Sequence, residues 1–199
     1  MSPRTTGPET RSRLLDAAAG CFSREGFDAT GVAETCATAG LSTGAFYHHV
    51  PSKQAVFLAL LDRWLALLDE QLLAVSQESG DSAEAMRRIA GLSRLVFQSA
   101  SGQLPMFLEF WNQSAHDPTV WKTTIAPYQR YREFFGLLIE TGIAEGTFRH
   151  ADPKAAGPVL VALAVGVLLQ GLMDPEGADW SAVLEHGVEL LIRGMHSEG

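Results

Sequence analysis

The stretch Ala39-Gly40-Leu41-Ser42-Thr43-Gly44-Ala45-Phe46-Tyr47-His48-His49-Val50-Pro51-Ser52-Lys53 decides how this chain is read. Gly40 can take the positive φ that lets a chain leave a helix sharply, and Leu41 plugs the turn that follows. Ser42 is a strong N-cap, so a new helix is expected from there to about Val50, where Pro51 closes it. Phe46 and Val50 stand one turn apart and share an inward face, which leaves Thr43, Tyr47 and His48 facing out. Two short helices joined through Ala39-Gly40-Leu41-Ser42 make a helix-turn-helix.

The pattern extends outward in both directions. Thr10 is placed to cap a first helix in which Leu14, Leu15, Ala18, Ala19 and Phe22 share one face, with Gly26-Phe27 as its stop. Thr30 starts the second helix, with Val32, Cys36 and Ala39 on its inner side. Ser52 opens a long fourth helix whose apolar positions are Val56, Leu60, Trp64, Leu67, Leu68, Leu72 and Val75, and Gly80 ends it. Helical spacing continues over residues 82–100, 104–114, 118–145, 153–173 and 179–196, with Pro127 expected to kink the longest of these. No segment alternates like a strand. The fold expected is all-α, with a three-helix helix-turn-helix domain over residues 9–54 and a helical domain over residues 55–199.

Charge divides the chain the same way. Up to Arg63 there are six basic and six acidic side chains, so the net charge of −8 falls entirely on the remainder. No acidic side chain occurs between Cys36 and Asp62. A neutral head on an acidic body suits a protein that holds nucleic acid at one end, because the body repels phosphate. The second helix of a helix-turn-helix lies in the major groove. Thr30 and Ser42, with the amides at their helix starts, can bind phosphate oxygens, and Lys53 adds a mobile positive charge. Thr43, Tyr47 and His48 project toward base edges and sugars, and Gly44 permits close backbone approach. In isolation Tyr47 and His49 would read as ordinary surface groups; the surrounding motif reverses that reading.

Other chemistries find little support. There is no nucleophile elbow, phosphate loop, paired-histidine metal motif or glycine-rich nucleotide fingerprint, so neither an enzyme nor a cofactor nor a metal site is expected. His48 and His49 are adjacent and diverge on a helix, and the remaining histidines are scattered. Cys21 and Cys36 read as small buried hydrophobes of a reduced, cytoplasmic protein rather than as a redox pair. From Ala155 to Met173 the one polar side chain is Gln170, long enough to span a membrane. Internal Gly157, Pro158, Gly166 and Gly171, with acidic flanks and no basic cluster, favour a helix at a protein interface instead.

The parts Gly26-Phe27, Thr30, Ala39-Gly40-Leu41-Ser42, Phe46-Tyr47-His48-His49-Val50 and Ser52-Lys53 together resemble the DNA-binding domain of the TetR family of transcriptional regulators, over about the first third of the chain. That resemblance implies phosphate contacts from Thr30, Tyr47, His49 and Lys53, and base reading around Thr43, Gly44 and His48. Three positions depart from the family pattern: Thr43 where a longer or basic side chain is frequent, Ala33 where a polar contact is common, and Thr35 where a core aliphatic is usual. Neither Thr43 nor His48 can make arginine's bidentate pairing to guanine, so DNA shape and water-mediated contacts are expected to carry more of the specificity.

The resemblance also implies a homodimer through the last two helices, where Ala162, Gly166 and Gly171 allow close approach. It implies a palindromic operator and a repressor released by a small-molecule inducer. Phe107, Phe110, Trp111, Gln113, Tyr128 and Tyr131 mix rings with hydrogen-bonding ends and suit a pocket for an apolar or aromatic inducer. The alternative is a helical ligand-binding sensor that has lost operator binding.

Overall fold

The computed structural model of the chain describes residues 7–100, 118–149 and 151–196. The segment expected as a helix over residues 104–114 lies outside them, as do Phe107, Phe110, Trp111 and Gln113. The described residues form helices α1 (Gly7–Glu25), α2 (Val32–Ala39), α3 (Thr43–His49), α4 (Lys53–Glu78), α5 (Ser82–Gly91), α6 (Ser93–Ala100), α7 (Pro118–Ala144), α8 (Pro153–Met173) and α9 (Trp180–Met195). Strand-like pairing among them is confined to a single bridge between Phe148 and His196. Two compact units are distinguished, the first reaching Leu67 and the second starting at Leu68, so α4 contributes to both.

In the first unit, α1 packs on α2 and α3, and α2 on α3. Leu14, Ala18, Cys21 and Phe22 of α1 are buried, as are Cys36, Ala39, Phe46, Val50, Val56 and Phe57. Phe27 stacks at 4.6 Å from Phe57 and 5.3 Å from Phe22, an aromatic cluster that ties the α1–α2 turn to α4. Helix α1 begins at Gly7 rather than at Thr10, which is buried inside it. Helix α2 begins at Val32 behind Gly31, not at Thr30. Thr35 is buried without a solvation cost because its hydroxyl donates to the Gly31 carbonyl at 3.1 Å. Both cysteines are buried and unbridged.

In the second unit, α7 and α8 form the most extensive helix pair. Gly157 is the reason they can approach: a Cβ there would stand 2.4 Å from the Arg132 carbonyl oxygen and 3.1 Å from the Gly136 nitrogen. The core is built from Ala83, Met86, Ala90, Leu138, Ile139, Phe148, Leu160, Val167, Leu184, Val188 and Ile192. Helix α7 continues through Pro127, which is buried. The helix expected over residues 82–100 is interrupted at Leu92, giving α5 and α6. Leu67, one of the apolar positions at helical spacing on α4, is 57% exposed.

Polar contacts trim the edges of this core. The Glu145 carboxylate accepts from the Ser82 amide and hydroxyl at 3.2 and 3.0 Å, holding the start of α5 to the end of α7. Arg94 makes a two-pronged contact with Glu185 at 2.8 and 3.1 Å, and Glu189 accepts from both Arg87 and Arg193. Arg94 holds the Glu185 carboxyl below its ordinary pKa, and Arg87 followed by Arg193 does the same for Glu189. Replacement of Gly157 by alanine is expected to force the α7–α8 pair apart and to destabilise the protein by about 1–3 kcal/mol. Urea unfolding of Gly157→Ala beside wild type measures it.

Candidate nucleic-acid interface

The interface expected from the sequence is assembled around one turn. Gly40 adopts φ 63° and ψ 38°, the left-handed conformation that a side chain disfavours. Its amide donates to the Ala37 carbonyl, and the Leu41 amide donates to the Cys36 carbonyl at 2.9 Å, which satisfies the end of α2. Arg13 of α1 reaches the remaining Ala39 carbonyl at 2.7 Å. The Ser42 hydroxyl then accepts from the Ala45 amide at 3.1 Å and starts α3 as its N-cap. The first-turn amides of Thr43 and Gly44 have no partner within the helix.

Helix α3 is seven residues long, and its sides are sharply divided. Phe46 is 1% exposed and Val50 is buried just beyond the helix. Thr43, Gly44, Tyr47 and His48 are exposed, and His49 is half-buried. The Tyr47 ring is 54% exposed and packs edge-on against Phe46, with ring centres 5.1 Å apart. His48 and His49 also meet edge to face at 5.2 Å. A Cβ on Gly44 would meet nothing nearer than the Ser42 hydroxyl at 3.9 Å, so the surface there is open. Ser42, Thr43, Gly44, Tyr47 and His48 are thus brought to one exposed edge, in a stretch with no acidic side chain between Cys36 and Asp62. Glu34 of α2 neighbours Glu25 at the end of α1, and this second carboxyl, as a hydrogen-bonding partner of the protonated form, raises the Glu25 carboxyl above its ordinary pKa.

Thr30 and Lys53 stand differently. Thr30 is 1% exposed and its hydroxyl donates to the Gly26 carbonyl at 2.8 Å. The Lys53 ammonium donates to the carbonyls of Phe27 at 2.7 Å, Thr30 at 3.1 Å and Asp28 at 3.3 Å. It also lies 4.4 Å from the centre of the Phe27 ring. The sequence reading made Lys53 mobile; in the structure its side chain is anchored in the α1–α2 turn. Arg13 has no part in the pattern read from the sequence, and Phe27 enters it only as part of the stop after α1, because the contacts of Arg13 with Ala39 and of Phe27 with Phe57 and Lys53 join residues remote in sequence.

In the second unit, Tyr128 and Tyr131 of α7 are both half-buried. The Tyr131 hydroxyl is buried and has no hydrogen-bond partner among the described residues. Burial, together with the neighbouring Asp69 carboxylate, pushes this phenol well above its ordinary pKa, so it is a neutral donor. Asp69 itself is paired with Arg130 at 2.9 Å. No group of acidic, histidine or cysteine side chains able to hold a metal ion occurs among the described residues.

Residues 14–60 match the family model of bacterial regulatory proteins of the tetR family. Residues 90–193, more than half of the chain, match the C-terminal model of BetI-type transcriptional repressors. The HTH-type transcriptional regulator UidR of Escherichia coli K12 is 24% identical over 194 residues, covering 96% of this chain and 95% of that protein. A second HTH-type regulator, YfiR of Bacillus subtilis, is 26% identical over 194 residues, 93% of each chain. The fold is shared with a transcriptional regulator from Saccharomonospora viridis in complex with choline, with a TM-score of 0.82 at 22% identity over 96% of this chain and 100% of that one. A TetR regulator from Haloarcula marismortui gives a TM-score of 0.85 at 16% identity, with the same coverage.

Ser42→Ala removes the cap of a helix too short to sustain itself and is expected to cost about 1 kcal/mol. Tyr47→Ala, at an exposed position, is expected to stay within about 0.5 kcal/mol of wild type. Thermal unfolding of the two variants side by side measures the difference.

Proposed function

Because the chain belongs to the TetR family of transcriptional regulators, we propose that it is a homodimeric repressor that binds a palindromic operator and is released by a small-molecule inducer. Its relatives regulate transcription, and it is not an enzyme. In this reading residues 9–54 hold DNA and residues 55–199 hold the inducer and the partner subunit, in the cytoplasm where the DNA is. The observation that carries the reading is the exposed edge of Ser42, Thr43, Gly44, Tyr47 and His48, in a stretch of sequence without acidic side chains, on a helix fixed from behind by Phe46. Ser42, Tyr47 and His49 are assigned to phosphates, and Thr43, Gly44 and His48 to bases. Thr30 and Lys53 support that edge from the α1–α2 turn.

Dimerisation is supported by what α8 and α9 leave uncovered. Helix α8 is apolar and long enough to cross a membrane by length and composition, yet 28% of its most apolar window is buried. Ala155, Val159, Ala162 and Met173 are exposed along one stripe of it, and a Cβ on Gly166 would meet nothing within 4 Å. Helix α9 adds exposed Val183 and Leu190, and Gly194 is equally open. Two such faces related by a two-fold axis form a four-helix contact. The recognition helices of a dimer then meet successive major grooves, about 34 Å apart.

The inducer reading is supported by Tyr131, whose buried hydroxyl lacks a partner and would be satisfied by an acceptor on a ligand. Tyr128, one turn earlier, adds a second half-buried ring. Phe107, Phe110, Trp111 and Gln113, which lie outside the described residues, are assigned to inducer binding from the sequence pattern alone. An apolar or aromatic molecule with a hydrogen-bond acceptor fits that set, and choline, the ligand of the S. viridis relative, is a first compound to screen. Such a ligand acts by favouring a conformation that fits DNA poorly, and DNA must weaken ligand binding by the same factor.

Selection of the purified protein against a random duplex library at low and moderate salt is expected to enrich a palindrome. Failure to enrich any duplex would favour a ligand-binding sensor without an operator. Separately, Gly166→Leu has room within one subunit but not between two, so it is expected to give a folded monomer. An unchanged sedimentation profile would remove α8 from the interface.

A further inference from the structure

We infer that Lys53 is a positioning residue that acts from inside the head, and that its ammonium makes no contact with DNA phosphate. This inference rests on the DNA-binding reading above. An ammonium has three N–H donors and no acceptor. All three are matched by carbonyl oxygens of one turn: Phe27 at 2.7 Å, Thr30 at 3.1 Å and Asp28 at 3.3 Å. The Phe27 ring takes the remaining side of the cation at 4.4 Å. A phosphate would have to displace at least one carbonyl, which would then lose its strongest donor.

The site of this grip gives it a function. Lys53 is the first residue of α4, and the carbonyls it holds lie 23 to 26 residues earlier, between α1 and α2. The same turn is closed by the Thr30 amide and hydroxyl, both of which donate to Gly26, at 3.3 and 2.8 Å. Immediately after it, Gly31 accepts from the amide and hydroxyl of Thr35, at 3.1 Å each, and fixes the first turn of α2. Helix α2 leads through Gly40 to α3. Lys53 therefore sets where α2 starts, and through α2 the angle at which the Ser42–His48 edge is presented.

The test compares wild type with Lys53→Met, which keeps the length of the stem and removes the charge and its donors. The probe is a duplex enriched from a random library by the wild-type protein. Affinity is measured against salt concentration at a temperature where circular dichroism shows both proteins folded, and amide hydrogen exchange is followed in the head. The expected result has three parts. Affinity falls about tenfold, as for loss of a charge-assisted contact. The slope of log affinity against log salt stays unchanged. Protection of the Thr30 and Thr35 amides drops relative to the amides of α1. A slope reduced by about 0.9 with protection intact would overturn the inference, because that is the signature of a lost phosphate contact. Unchanged affinity in a folded but less stable variant would also overturn it, leaving Lys53 a purely structural residue. If wild type enriches no duplex, the DNA-binding reading itself falls, and unchanged protection at Thr30 and Thr35 would separately overturn the grip on the turn.

Discussion

A helix of seven residues cannot hold itself together in water, because nucleation fixes several residues for few hydrogen bonds. Everything about the head follows from that constraint on α3. Its start is satisfied by Ser42, its back is anchored by Phe46 and Val50, and its approach is fixed by the left-handed Gly40. Helices α1 and α2 both pack against it, and Arg13 closes the end of α2. The exposed edge is ordered because the hidden one is.

The second unit is held by a different balance. Its ion pairs on α9 are short, but their side chains are substantially exposed, and such pairs contribute about 0–1 kcal/mol each. Cohesion comes instead from the apolar cluster and from close backbone approach at Gly157. The carboxylates Glu185 and Glu189 then act as register marks, since Arg94 of α6 and Arg87 of α5 fix α9 lengthwise against those helices. Two buried hydroxyls stand outside this pairing, Ser93 at the start of α6 and Tyr131 on α7: neither has a hydrogen-bond partner among the described residues.

Features governed by neighbours in sequence were legible before the structure. The Gly40 turn, the Ser42 cap, the inward Phe46 and Val50, and the limits of α8 all follow from local propensity and period. Where the reading missed, a remote contact or a choice between equal faces was at work. Thr10 and Thr30 each have the chemistry of a cap, yet α1 begins earlier and α2 later, at Gly7 and Val32. Leu67 sits at the margin of a wide apolar stripe, and spacing alone does not say which margin is covered. Lys53 looks like any solvent-facing lysine at a helix start; its three acceptors are backbone atoms, which leave no mark in the side-chain sequence. For the interface, the residues facing out were foreseeable, whereas the supports behind them were not.

The division of α3 into a sealed side and an open side has an evolutionary consequence. Phe46 and Val50 maintain the fold, while Thr43, Gly44, Tyr47 and His48 face solvent. Substitutions at the second set leave the core unchanged and fall where proteins tolerate exchange best. If those residues read DNA as proposed, descendants of this chain can drift from one target sequence to another by single steps, each passing through a folded intermediate, without first acquiring a surplus of stability.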